Sequence, residues 1–225
     1  MSSHAVVIAL VEGITEQRFI NQILAPVLYP RNIYLSPVVI SKPGQKGGDV
    51  KFERVKNDIG DHLKQRQDTF VTLFLDFYGI KGDWPEIDAA RRQNSAALKA
   101  EKFKFGVKTE VQKLFGDYYP EKRFIPYVSM HEFEALLFSD PAILAAQLPA
   151  NESVIEKILK DCGEPESIND SFQTAPSKRL ETLCGRYKKT TTGIAIAEKI
   201  GIAKMRQACP LFGAWLDKIE KLGVA

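Results

Sequence analysis

A four-stranded parallel β-sheet with helices on both faces, continued into a helical C-terminal region, is the α/β architecture this sequence predicts. Four short apolar runs alternate with stretches of helical periodicity in the order βαβαβαβα, the pattern of parallel strands joined by crossover helices. The first run is continuously apolar, as a strand buried on both faces is. After about Pro141 the strand signals fade, which divides an α/β unit of residues 1–140 from a helical, basic region of residues 141–225 packed on it.

Each element has its own signal. Ala5 to Val11 (AVVIALV) reads as the first strand, and Thr15 is the expected N-cap of a helix to about Leu28, with Ile20, Ile23, Leu24 and Val27 as its buried stripe. IYLSPVVIS is a second strand, whose internal Pro37 points to an edge position or a bulge because proline cannot donate to a ladder. The glycine-rich loop KPGQKGGD follows, then a helix from about Val50 to Arg66, then FVTLFL as the third strand. A long loop bearing YGIKGDWPEID leads to a helix over residues 95–115, and RFIPYVSM forms the fourth strand, entering HEFEALLF, which reads as a helix. Beyond it, PAILAAQL, SVIEKILKDC, SKRLETLCGRY, GIAIAEKIG and IAKMRQACPLFGAWLDKIEKL are helix-like, with a polar, proline-bearing connector at residues 162–179.

Composition sets the class. The 225 residues are 44% hydrophobic and 26% charged, ordinary for a soluble globular chain with a substantial core. No apolar segment approaches the roughly 20 residues that span a bilayer, and the first ten residues lack a basic leader region, so a cytoplasmic protein without a membrane partner is expected. Cys162, Cys184 and Cys209 are odd in number and lack CxxC spacing, which indicates neither a disulfide framework nor a zinc ribbon. Charge is unevenly spread: from Ala175 onward ten Lys or Arg face four acids, whereas the preceding part holds 21 basic and 24 acidic residues. Such asymmetry fits an acidic metal-binding half and a basic half for a polyanion, and equally a solvated helical surface.

The acids have a common place. Glu12 follows the first strand, Asp76 the third, and His131, Glu132 and Glu134 the fourth, so three strands deliver acidic or imidazole groups to the carboxyl edge of one sheet, where α/β proteins bind ligands. Clustered carboxylates raise one another's pKa and are neutralised economically by a divalent cation, here Mg²⁺ or Mn²⁺. Such an ion stabilises phosphate charge and lowers the pKa of a bound water. Each residue also has a structural alternative: Glu12 as a helix cap, Asp76 as a turn former, His131 as a satisfied helix-start residue.

VEGITE after the first strand, an Asp after the third and the βαβαβαβα order resemble a TOPRIM domain, the fold of topoisomerases, primases and overcoming-lysogenization-defect nucleases. LVEGITEQRF, LDFYGIKGDWP, IPYVSMHEFEALLFSD, APSKR and CPLFGAWL together resemble a bacterial family of TOPRIM-like proteins without an assigned function, over most of the chain. The resemblance implies a defence-locus protein, often encoded beside a separate ABC-type or overcoming-lysogenization-defect-type ATPase, with metal-dependent nuclease activity. It implies Glu12 as metal ligand or general acid/base and Asp76 as metal ligand. The wider pattern has Asp-x-Asp after the third strand; here the second position is Tyr78, a poor Mg²⁺ ligand because a phenol's pKa is about 10. Either Glu132 or Glu134 replaces it, or the site only binds. On helix geometry His131 and Glu134, three apart, share a face, which favours that pair over Glu132.

Weaker signals complete the reading. KPGQKGGD lacks P-loop spacing, leaving Lys42 and Lys46 as phosphate contacts on a flexible loop. HEFEA is not HExxH and no GxSxG is present, which disfavours a zinc protease and a serine hydrolase. GRYKK offers Arg186, Lys188 and Lys189 beside Tyr187 for phosphate contact and base stacking, or serves as a solvated helix end. Two functions follow. In a nuclease or related phosphoryl-transfer enzyme, Glu12 and Asp76 hold the ion with Glu134, His131 assists, Lys178, Lys188 or Lys189 neutralises the cleaved phosphate, and Arg179 and Arg186 add nucleic-acid contacts. The alternative is a catalytically degenerate binding or effector subunit. Homo-oligomerisation is open in both.

Overall fold

The computed structural model describes residues 4–40, 50–168 and 172–223. At its centre lies a wholly parallel sheet of β1 (Ala5–Val11), β2 (Ile33–Val39), β3 (Thr69–Asp76) and β4 (Phe124–Ser129), in the spatial order β2-β1-β3-β4. All four predicted strands are present. β1 and β3 are interior, which explains their apolar runs: Val7, Leu10, Val71 and Leu73 are fully buried. Pro37 is accommodated because β2 is an edge strand, where its missing N–H breaks no necessary ladder bond.

Helices cover both faces. α1 (Ile14–Phe19) passes through a π-helical turn (Ile20–Leu24) into α2 (Ala25–Leu28), so the predicted helix is in place but interrupted; it is entered at Gly13 rather than capped by Thr15, and Val27 of the expected buried stripe is exposed. Pro26 cannot supply the N–H of a regular turn, and the wider turn stands just before it. One face of the sheet, with Leu10, Leu73 and Val128, packs against α3 (Phe52–Gln65), α4 (Ile87–Arg91) and α5 (Ala96–Phe115), the last capped by Ser95 Oγ on the Leu98 N–H at 3.2 Å. Then α6 (Pro120–Arg123) places the Arg123 guanidinium on the carbonyls of Thr69, Leu63 and Tyr118, at 2.9, 3.0 and 3.0 Å, and on that of Arg66, fixing the start of β4 against β3.

The other face, with Val7, Phe74 and Tyr127, packs against α1 and the C-terminal elements α7 (Pro141–Gln147), α8 (Glu152–Cys162), α9 (Pro176–Leu183), α10 (Ile194–Ala208) and α11 (Pro210–Glu220). Trp215 of α11 stacks on Tyr127 at 4.9 Å, and its indole N–H donates to Thr72 Oγ1 at 2.9 Å while that hydroxyl donates to the Ile125 carbonyl at 2.5 Å. A buried aromatic layer of Phe19, Phe74, Tyr127, Phe212 and Trp215 thus joins sheet and C-terminal helices. No helix among the described residues is long and apolar enough to cross a membrane.

The structure corrects one element. HEFEALLF is not an α-helix beginning at His131: a 3-10 helix spans Phe133–Ser139, Glu132 is extended, and His131 has φ 67° in the left-handed region. Phe133 through Phe138 are all buried, so the segment has no solvated face of the kind an amphipathic helix keeps. The Asp76 carboxylate accepts the Phe133 N–H at 2.8 Å, and this side-chain bond fixes where the turn begins.

Candidate active site

The carboxyl edge of the sheet assembles its acids from three strand ends. After β1, Glu12 is followed by extended Gly13, and α1 brings Glu16 back so that its buried carboxylate accepts the Gly13 N–H at 3.0 Å. The Glu12 carboxylate lies against Gly79, in the short 3-10 turn Phe77–Gly79 after β3. A Cβ at position 79 would stand 2.5 Å from Glu12 Oε2, so any other residue there would push the carboxylate from this position. Asp76 ends β3 opposite Ser129 of β4 and is anchored by its bond to the Phe133 N–H.

Their charges crowd one another. Burial, then the charges of Glu16 and Glu134, and also Glu12, push the Asp76 carboxyl well above the usual carboxylate range, with Lys189 opposing. Glu16 is likewise raised, first by burial and then by Glu12, while its own and the Gly13 backbone N–H groups and the Lys189 charge pull it down. Glu134, wholly buried, is raised by burial against the pull of Lys189.

Lys189 balances the other side of the cluster. It begins a π-helical turn, Lys189–Gly193, that Arg18 of α1 holds through a 2.6 Å bond to the Thr190 carbonyl. Its ammonium lies 3.1 Å from both carboxylate oxygens of Glu134 and 3.5 Å from Glu132 Oε1. Burial would lower the Lys189 pKa, but Glu134, Glu132 and Asp76 hold it above its ordinary value. Tyr187 donates to Glu134 Oε1 at 3.4 Å, and Gly193 makes room for it: a Cβ there would stand 2.7 Å from the phenol oxygen. Glu132 Oε2 accepts the Ser177 N–H at 2.9 Å, a carboxylate at the start of α9.

The predicted residues therefore divide. Glu12, Asp76 and Glu134 gather at one edge, as does buried His131, whose ring lies 5.6 Å from that of Tyr78 and whose carbonyl accepts the Tyr78 N–H at 3.2 Å. With the α-helix replaced, face sharing no longer separates Glu134 from Glu132: both carboxylates meet Lys189. Lys178 lies on α9 beside Ser177 and pairs with Glu181 at 2.7 Å. Arg179 turns to the Thr174 carbonyl at 2.9 Å and Cys162 Sγ at 3.8 Å. Arg186 and Lys188 are exposed, and Lys42 and Lys46 lie outside the described residues. Tyr187, read as a stacking platform, is instead buried and committed to Glu134. Glu16 was missed; its signal was the four-residue spacing from Glu12 across a glycine and a helix start.

In donor chemistry the set fits a hard divalent cation. Glu12, Glu16 and Asp76 supply carboxylate oxygens, the charge of Glu12 raising the Glu16 carboxyl and the charges of both raising that of Asp76, whereas Glu132 and Glu134 already face Lys189. As the side chains stand, no group of three or more His, Cys, Asp or Glu among the described residues is spaced to hold an ion, so the fit is one of donor type and charge.

Residues 11–220 match a family described as Domain of unknown function (DUF4276). The chain belongs to the DUF4276 family. Two solved structures of the C-terminal region of the Xanthomonas campestris pv. campestris OLD protein, one phased with iodine and one with mercury, are similar to this DUF4276 chain at 16% and 17% identity and TM-scores of 0.39 and 0.38. Each match covers 97% of this chain, and 95% and 96% respectively of the other. No curated protein matches.

Proposed function

We propose that this chain is a metal-dependent nuclease or related phosphoryl-transfer enzyme acting on nucleic acid, with Glu12, Glu16 and Asp76 as the residues that would hold Mg²⁺ or Mn²⁺. The observation that carries the reading is the convergence of these acids at the carboxyl edge, where Asp76 sits raised among Glu16, Glu134 and Glu12. When bound, the ion supplies charge stabilisation at a phosphate and a more acidic water. The chain's own residues do the rest. The bond to Phe133 N–H orients Asp76, Gly79 admits Glu12, and the Gly13 N–H fixes Glu16. Lys189 supplies a positive charge at the cluster for an incoming phosphate, and exposed Lys188 and Arg186 extend that charge outward. His131 is buried at the same edge, and Lys178 follows Ser177, whose N–H Glu132 accepts; the two complete the proposed catalytic set. By the TOPRIM-like resemblance, the setting is phage defence beside a separately encoded ATPase.

A second reading, a binding or effector subunit without catalysis, draws on the Lys189 ammonium, which already serves Glu132 and Glu134 in the manner of a built-in cation. Cleavage separates the two. Labelled plasmid, single-stranded DNA and RNA are incubated with the purified protein and Mn²⁺ or Mg²⁺, with Glu12→Gln and Asp76→Asn alongside. Cleavage abolished in both folded variants supports the enzyme; metal-dependent cleavage that survives both removes these residues from the chemistry.

A further inference from the structure

The sheet has a second open feature, beside the start of β4 rather than at its carboxyl end. β4 is an edge strand, and the helices over the two faces part along it: α5 lies on one side and α11 on the other. Between them a cleft of about 600 Å³ is lined by Lys104 and Lys108 of α5, Lys218 of α11 and the Phe124–Pro126 segment of β4. That volume is in the range of small-molecule sites. Around the Phe105 and Phe124 rings it adjoins a second cavity of about 370 Å³, lined also by Thr109, Gln112 and Pro120.

Three features narrow the ligand. No side-chain ion pair or hydrogen bond holds Lys104, Lys108 or Lys218 among the described residues; burial, then the charge of Lys218 and also that of Lys108, depress the Lys104 ammonium against the pull of Glu101 and Glu166. Like charges gathered at a concave surface attract an anion. Next to them Phe105 is 63% exposed, an aromatic ring open to a ligand, with the Lys102 ammonium 5.8 Å from its centre. Its cavity is also lined by Lys108, Thr109, Glu121 and the exposed Gln112, whose amide is able to read a base edge. A polyanion without a ring would leave the aromatic half unused, and a fatty acid would bring no polar group to Gln112.

We propose that the cleft along the open edge of β4 binds a nucleoside phosphate, the phosphate between Lys104, Lys108 and Lys218 and the base against Phe105 within reach of Gln112. Glu101 and Glu121, exposed on the same cleft, are suited to sugar hydroxyls and disfavour longer polyanions there. The site stands apart from Glu12 and Asp76, so it holds whether or not the carboxyl edge is catalytic.

The test is calorimetric titration of the full chain with adenosine 5′-monophosphate, adenosine, inorganic phosphate and decanoate. Saturable binding of the monophosphate is expected, with adenosine and inorganic phosphate each at least about tenfold weaker. Loss of a charged hydrogen bond, in Lys104→Ala or Lys218→Ala, should weaken it about tenfold or more. Loss of stacking in Phe105→Ala should weaken it about fivefold or more. These side chains are exposed or half-buried, and a circular dichroism melt confirms that each variant folds. Glu12→Gln should bind as the parent does. The proposal is overturned by no saturable binding, by binding indifferent to the double Lys104→Ala, Lys218→Ala variant, by phosphate alone binding as tightly as the nucleotide, or by decanoate outcompeting it.

Discussion

Replacing Lys189 with methionine keeps the apolar stem and deletes the ammonium that stands 3.1 Å from both oxygens of Glu134. Removing one partner of a fully buried ion pair costs about 3–5 kcal/mol, and of an exposed pair at most about 1 kcal/mol. Here the Glu134 side chain is 1% exposed and that of Lys189 41%, so solvent screening places the loss between these limits, at about 2 kcal/mol near neutral pH. In a chain of this size that lowers Tm by about 4–8 °C. The loss depends on pH. Burial already raises Glu134 above its ordinary value of 4.5, and without Lys189 it rises further. A carboxyl raised in the folded state contributes stability that is present below its unfolded pKa and lost as pH rises through its folded pKa. The variant's deficit should therefore be small near pH 4.5 and full above the raised value. Thermal unfolding followed by circular dichroism across that window measures it. A deficit equal at both ends, or none at neutral pH, would refute the assignment of Lys189 as the counter-charge of a buried carboxylate.

Other substitutions probe separate parts of the account. Thr72→Val leaves the buried indole N–H of Trp215 without its acceptor and should cost about 1–3 kcal/mol in urea unfolding, with Thr72→Ser restoring most of it; an unchanged midpoint would count against this bond. Glu166 accepts the N–H groups of Leu211 and Phe212 at 2.7 and 2.9 Å at the start of α11, and burial pushes its carboxyl from 4.5 up to about 7. Its contribution is whole below about pH 4.5 and lost toward pH 7, so stability relative to Glu166→Gln should fall by about 3 kcal/mol across that window, and a flat difference would contradict this. Gly79→Ala pushes the Glu12 carboxylate from its present position and should weaken Mn²⁺ binding about tenfold or more in a folded protein; equal affinity would show that the ion does not depend on that position.

What the sequence made legible followed from period and burial. The four strands stand where apolar runs predicted them, and Pro37 correctly marked an edge, because a missing N–H is a local fact with a topological consequence. The gathering of Glu12, Asp76 and Glu134 was readable because parallel topology sends every strand's carboxyl end to one side. The conformation after β4 was not. HEFEALLF has helix-forming residues, but a bond from Asp76, 57 positions earlier, sets the turn, and no local propensity encodes that partner. The pairing of Lys189 with Glu134, 55 positions apart, was hidden for the same reason. Glu16 was hidden differently, since a glutamate in a first helical turn is ordinary capping chemistry until its neighbours are known.

The account's central claim is that Glu12, Glu16 and Asp76 form one cation site at the carboxyl edge. Titration of the protein with Mn²⁺, followed by electron paramagnetic resonance of the free ion, tests it most directly. The account predicts saturable binding that Glu12→Gln, Glu16→Gln and Asp76→Asn each weaken by about tenfold or more while the fold persists. Binding untouched by all three, or no binding by the folded parent chain, would contradict it.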